Sequence, residues 1–388
     1  MCHATANNLN PIYPSFDKDF YKFPSYLRRS EILDAVGKVS SHKSKLAKWE
    51  NGDPGSRGKK PSHPKAGKTY PCMYKGEMYR RSGEYEAKLK VFARNTWDWI
   101  TVKLKKSDVD YINRHCKSRK ECAPTLTKRG RQWFLDFPFK EKVKLTDKDV
   151  TEQTIVAVDL GINTAAAVSV MRSDGTVLGR HFLKLPKEYD SLNHAMNRIK
   201  KAQQYGNYKT PRLWASAKGM NKRIAVETAQ FVMNIATKYH ADVIVFEHLE
   251  LSGKKRGSKK QKLHMWRSRY VQKMVTDKAH QAGMRIRRIC AWNTSRLAYD
   301  GSGLVMRGRK AGFKSYSMCQ FLSGKIYNCD LNATYNIGAR YFIREILKSL
   351  PVRVRLELEA KVPRVSKRST CTLSTLINLN AELASFAM

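Results

Sequence analysis

Acidic residues are scarce in this 388-residue chain: 33 Asp and Glu stand against 74 Lys and Arg, a formal net charge of +41. The excess is spread along the whole length rather than gathered in a tail, so the chain needs a polyanion beside it. Long apolar runs are missing too. None approaches the ~20 residues of a spanning helix, and no amphipathic anchor stands out, which sets a membrane partner aside. The opening MCHATANNLNP lacks the charged and apolar regions of a signal peptide. Nucleic acid is then the expected partner, held through extended, salt-sensitive phosphate contacts.

Paired cysteines are a further absence. The eight cysteines (2, 72, 116, 122, 290, 319, 329 and 371) include no C-x-x-C, the strongest sequence mark of a zinc knuckle. Without an export signal they read as reduced thiols in a cytosolic setting, so a cytoplasmic protein is expected, nucleoid-associated when on DNA. A phosphate loop is missing as well: AGKT (66–69) has Ser62 where G-x-x-x-x-G-K-T requires glycine.

What is present is an ordinary share of hydrophobic residues, 41%, enough for two or three compact units. Residues 1–55 predict basic helices, from the spacing of Leu27, Ile32, Leu33, Val36, Val39, Leu46 and Trp49. The Gly-, Pro- and Lys-rich stretch 51–68 follows as a linker or backbone-tracking loop. Residues 56–150 shift to short alternating runs such as KLKVFARNTWDWITVKL and predict a small β-barrel. Its Trp97, Trp99, Trp133 and Phe134 suit either a nucleic-acid surface or simply a core.

From 151 to 345 the order is three strands, helix, strand, helix, strand, which predicts an α/β domain with a ribonuclease-H-like sheet. Residues 346–388 form a tail whose STCTLSTLINLNAELASF has a helical period. Within the α/β region Asp159 ends VAVD, Glu247 ends VIVFE, and Asp330 opens the helix DLNATYNIGARYFIREIL. If the first and fourth strands lie side by side, their ends bring Asp159 and Glu247 together, and a helix packed across that end delivers Asp330. Hard divalent cations prefer such oxygen ligands. Two Mg²⁺ ions roughly 4 Å apart, with Mn²⁺ as a substitute, would activate water and neutralise a departing 3′ oxygen. Each acid also has a plainer role: Asp159 capping a turn before Gly161, Glu247 pairing with a surface lysine, Asp330 as a helix N-cap. Asp174 fits a turn, Asp300 a flexible YDGSG, and Asp242 an outward-facing strand start.

The blocks VDLGIN, VIVFEHLEL and YNCDLNATYNIGAR, with CAWNTS before the third, resemble the RuvC-like nuclease of transposon-encoded TnpB proteins, relatives of compact type V CRISPR effectors. The resemblance implies a transposon-associated, RNA-guided DNA endonuclease with Asp159, Glu247 and Asp330 as metal-binding catalytic acids, and guide RNA and target double-stranded DNA as partners. It makes the N-terminal helices a shortened recognition lobe and the following strands a wedge domain holding the guide.

The family's four-cysteine knuckle is degenerate at 290–329. Ala298 and Gly301 stand where the first pair would fall, and Cys319 with Leu322 where the second would. Four ligands are lacking, so no zinc is expected; Cys329 reads as a small buried side chain, and the loop must be held by packing of Tyr316, Phe321 and Tyr327. The stretch 252–269 holds eight Lys or Arg and no acid. Lys254, Lys255, Arg256, Lys259, Lys260, Trp266, Arg267 and Arg269 are its candidate nucleic-acid contacts, as a strand-guiding segment or as a solvated loop. His248, His264 and His280 read as structural. Two alternatives remain beside the guided nuclease: a guide-directed DNA-binding repressor that does not cut, and a guide-free structure-specific nuclease.

Overall fold

The computed structural model describes residues 13–52, 58–64, 72–248 and 266–387. The chain divides into two compact units, Met1–Lys142 and Val143–Met388.

In the first unit, α1 (Tyr13–Asp19) and α2 (Ser25–Glu50) fall where the apolar spacing predicted helices, and α2 buries only Ser30 and Ile32. Strands β1 (Tyr79–Gly83), β2 (Glu86–Ala93) and β3 (Thr96–Lys103) form one antiparallel sheet. Its β2–β3 hairpin turns on Arg94 and Asn95, both at positive φ, as a tight hairpin matching strand twist requires. The helix α3 (Lys106–His115) follows, then β4 (Lys120–Glu121), β5 (Thr125–Arg129), β6 (Gln132–Asp136) and β7 (Phe139–Lys140).

The expected barrel does not form among the described residues. Beyond β3 the strands are short, β4 pairing with β7 and β5 with β6, and a single bridge from Thr125 to Cys72 joins β5 to the chain before β1, so that no closed sheet is made. Trp97 packs with the core around Met73, Met78 and Leu89. Trp133 is exposed beneath Lys128, and Arg80 lies 4.7 Å from the ring of Trp99.

The second unit is built on β8 (Thr154–Asp159), β9 (Ala166–Arg172), β10 (Val177–Leu183), β11 (Val243–His248) and β12 (Arg285–Cys290), in the order β10-β9-β8-β11-β12. The first three are antiparallel, while β8, β11 and β12 run parallel. Strands buried on both faces need unbroken apolar runs, which is what TIVAV and VIVF supply. One face, through Val156, Val158, Ile244 and Phe246, meets α5 (Pro211–Lys238) and α6 (Ser268–Gln281); α4 (Pro186–Gln204) packs beside α5. The other face, through Ile155, Ala157, Val243 and Val245, meets α7 (Cys329–Ser349), α8 (Val352–Lys361) and α9 (Leu373–Ala387). A small sheet of β13 (Met306–Arg307), β14 (Met318–Gln320) and β15 (Ile326–Asn328) precedes α7.

Gly338 lets α7 lie close on the sheet, since a Cβ there would run into Met171 Sδ. Asp242 faces inward, against the expectation that it faces out: it is buried, accepts from the Thr154 N–H at 3.0 Å, and pairs with Lys148 at 2.9 Å. Unpaired burial of a carboxylate is costly, so this acid anchors the lead-in to β8. Among the described residues no helix is long and apolar enough to cross a membrane.

Candidate active site

Phe246 of β11 pairs with Val158 of β8 in parallel register, so Asp159 and Glu247 come next at the same level of neighbouring strands. Side chains alternate across a sheet. Val158 and Phe246 point to the α5 side, which turns Asp159 and Glu247 to the α7 side. There α7 begins, its first turn capped by Asn328, whose Oδ1 accepts from the N–H groups of Asp330 at 2.9 Å and Leu331 at 3.0 Å. The N-cap role is therefore filled by Asn328, and the Asp330 side chain is left free of it.

Burial, then the charges of Glu247 and Asp330, push the Asp159 carboxyl well above the ordinary carboxylate range, with Arg307 pulling against them. Asp159 keeps some accessible surface, yet protein atoms surround it on most sides. Among the described residues nothing donates a hydrogen bond to its carboxylate, so the turn at Gly161 does not account for it. Glu247 is also pushed up by burial, opposed by a hydrogen bond from Thr294 and by the charge of Arg340.

Support for Glu247 comes from the loop after β12. Thr294 Oγ1 donates to Glu247 Oε1. Asn293, just before it, sits at φ +62°, a left-handed conformation that asparagine tolerates. Asn336 Nδ2 donates to the carbonyls of Thr294 at 2.9 Å and Leu297 at 2.8 Å. One turn earlier Asn332 bonds Leu297 O and Tyr299 N, each at 2.8 Å. One turn later Arg340 donates to the carbonyls of Cys290, Trp292, Ser369 and Cys371. These three polar residues, four apart along one buried face of α7, tie the loop to the helix that carries Asp330. Sequence reasoning assigned them no role, and their i, i+4, i+8 spacing was the available signal.

As they stand, the described residues contain no group of three or more His, Cys, Asp or Glu side chains set to hold a metal ion. The chemistry of the donor set nevertheless fits a hard divalent cation. Burial, and after it the charges of Glu247 and Asp330, raise Asp159, a state that a bound cation would relieve.

Cys319 of β14 and Cys329, the first residue of α7, are buried side by side. Their mutual hydrogen bond and burial push the Cys319 thiol up, while that bond and Arg307, whose Nε lies 3.1 Å from Cys329 Sγ, pull Cys329 down. Ala298 is fully buried and Leu322 exposed. An aromatic cluster holds the segment: Tyr299 meets the rings of Phe321, Tyr327 and Tyr335 edge-on at 5.1–5.4 Å. Phe321 and Tyr327 are thus in the expected place, but Tyr316 is 68% exposed and outside the cluster, with Tyr299 and Tyr335 in its stead.

Of the basic stretch, Lys254, Lys255, Arg256, Lys259 and Lys260, with His264, lie outside the described residues. Trp266 is half-buried against Val271 and its neighbours, Arg267 lies over the Tyr270 ring, and Arg269 is exposed.

Residues 1–93 match the Aq_aa04 family. The chain is 26% identical over 237 residues to TnpB-like protein aq_aa05 of Aquifex aeolicus (strain VF5), covering 54% of this chain and 74% of that one. The resemblance to TnpB proteins read from the sequence is borne out by this similarity. Its fold is similar to that of the protein in a Cas12f1–sgRNA–target DNA complex, with a TM-score of 0.51 at 14% identity, over 83% of this chain and 75% of that one.

Proposed function

We propose that the chain is an RNA-guided, RuvC-type DNA endonuclease on a ribonuclease-H-like sheet, associated with a transposon and hydrolysing phosphodiester bonds of target DNA. The observation that carries this reading is the parallel pairing of β8 with β11, which sets Asp159 and Glu247 at one sheet end on the α7 side, with Asp330 in the first turn of α7. The similarity to a TnpB-like protein and the fold shared with a guide-RNA and DNA complex support it.

Asp159, Glu247 and Asp330 would hold two Mg²⁺ ions, or Mn²⁺ in their place, which supply an activated water and neutralise charge on the leaving oxygen. The chain's own part is to keep its acids ionised and fixed. Thr294 donates to Glu247 and thereby favours the carboxylate; the positive charge of Arg340 acts in the same direction. Arg307 opposes protonation of Asp159. Asn328 sets the first turn of α7 and so the position of Asp330. Net charge of +41 suits a chain that must hold guide RNA and double-stranded target together.

The test is plasmid cleavage by the protein purified with its co-expressed RNA. Cleavage should need Mg²⁺ or Mn²⁺ and should fall by about a thousandfold or more in Asp159→Ala, as when one member of a catalytic unit is lost. An Asp159→Ala protein that cuts as well as wild type overturns the mechanism. Absence of co-purifying RNA overturns the guiding.

A further inference from the structure

Where α5 and α6 cover the sheet, a cavity of about 600 Å³ lies among the loop 160–165, α4, α5 and the first turn of α6. Leu160, Ile162, Leu192, Met196, Ile224 and Val271 give it mainly apolar walls. Its size and lining are those of a site for a small organic molecule. Charge sets it apart from the rest of the chain. In a molecule of net charge +41, the charged side chains on these walls are Asp190 and Arg267, one of each sign. Arg267 is itself turned over the Tyr270 ring, 5.7 Å from its centroid. Counterion release, which draws polyanions onto basic surfaces, has little to act through here.

One group in the wall is left unsatisfied. Ser268 is 1% exposed, and its hydroxyl has no hydrogen-bond partner among the described residues. Buried polar groups are nearly always paired, because leaving one dry costs free energy. Thr228, a second buried hydroxyl of the wall, already spends its hydrogen on Ile224 O at 2.7 Å. Ser268 also opens α6, whose N-terminal end has no side-chain cap. A helix N-terminus favours partial negative charge, so the helix end and the free hydroxyl together suit an acceptor oxygen.

We propose that this cavity binds an uncharged small organic molecule, its apolar body among Leu160, Met196 and Val271 and its carbonyl oxygen accepting from the Ser268 hydroxyl. The site is independent of the nuclease reading.

The probe is prodan, an uncharged naphthalene ketone whose emission moves to the blue in apolar surroundings. It is titrated into the full chain, stripped of nucleic acid at high salt and kept in EDTA. Prodan should bind at one site with blue-shifted emission and a Kd on the order of 10–200 μM, in keeping with a ligand of its size. Ala225→Leu, which fills part of the cavity, should weaken binding about tenfold or more. Ser268→Ala should weaken prodan about 2- to 10-fold, as loss of one neutral hydrogen bond does, and leave N,N-dimethyl-2-naphthylamine, which lacks the carbonyl, bound as in wild type. The same variant should unfold in urea at or above the wild-type midpoint, since it deletes an unpaired buried hydroxyl. Excess heparin should leave prodan in place. The proposal is overturned if the dye keeps its emission in water, if either variant binds it as well as wild type, or if Ser268→Ala weakens both dyes alike. Displacement by heparin overturns it too, because the cavity then belongs to the polyanion surface. Because metal is absent throughout, failure here leaves plasmid cleavage untouched, and failure of cleavage leaves this result standing.

Discussion

Thr294 donates its hydroxyl hydrogen to the carboxylate of Glu247, and Asn336 holds the Thr294 carbonyl from the helix that carries Asp330. The loop after β12 thereby links two of the three acids: one through a side chain, the other through a helix.

Thr294→Val keeps the shape and removes the donor. The hydrogen bond favours the ionised form of Glu247, so its loss pushes that carboxyl further up, in the direction burial already drives it. A hydrogen bond to a charged group contributes about 1.5–3 kcal/mol, so Mg²⁺-dependent cleavage at pH 7 should fall about 10- to 100-fold. The acid limb of the pH–rate profile should move to higher pH, with thermal stability little changed; an unmoved limb would show that Thr294 does not tune Glu247.

Arg340→Lys should behave as a severe change although the charge is kept. A guanidinium can serve the carbonyls of Cys290, Trp292, Ser369 and Cys371 from one buried position, whereas a single ammonium cannot match its fork. Buried carbonyls left without donors cost about 1–3 kcal/mol each. Urea denaturation should show a loss of about 2–4 kcal/mol, and a midpoint equal to wild type would contradict the clamp.

How the sequence conveys this arrangement differs by residue. Strands β8 and β11 were legible because two-sided burial demands apolar runs, and their acidic ends stand out against VAV and VIVF. Asn332, Asn336 and Arg340 were not, since polar residues four apart on a helix look the same whether they meet water or a loop's backbone. Asp242 was misread because its partner Lys148 lies 94 residues earlier, a distance local pattern does not span. The barrel was expected from alternation alone, which fixes which face a strand buries but not which neighbour it pairs with.

Gly338→Ala tests how closely α7 lies on the sheet. In an ordinary helix this change stabilises by up to about 1 kcal/mol. Here the added methyl meets Met171 Sδ and sits 3.4 Å from Ile155 Cδ1. Overpacking of this kind costs about 1–3 kcal/mol, so the variant should be the less stable of the two. Adding Met171→Ala makes room, and in that background Gly338→Ala should become neutral or stabilising. A double-mutant cycle in urea measures the reversal; additive effects would mean that helix and sheet are not in contact there.

Asp159 should weaken the metal-free fold at neutral pH. Its folded-state pKa lies well above the ordinary 3.8, so between these values the folded chain binds more protons than the unfolded one. Stability from this group is then present in acid and lost as pH rises through the raised value. Asp159→Asn removes the titration along with the repulsion from Glu247 and Asp330. In EDTA the variant should exceed wild type at pH 7.5 by about 0.5–2 kcal/mol, the usual gain on relieving a functional site, and the gap should close as pH falls toward 4. Mg²⁺ should then raise the melting temperature of wild type and leave that of Asp159→Asn nearly unchanged, because a ligand stabilises only the state that binds it. Parallel stability curves for the two proteins across pH, in EDTA, would mean that Asp159 does not bear the strain assigned to it.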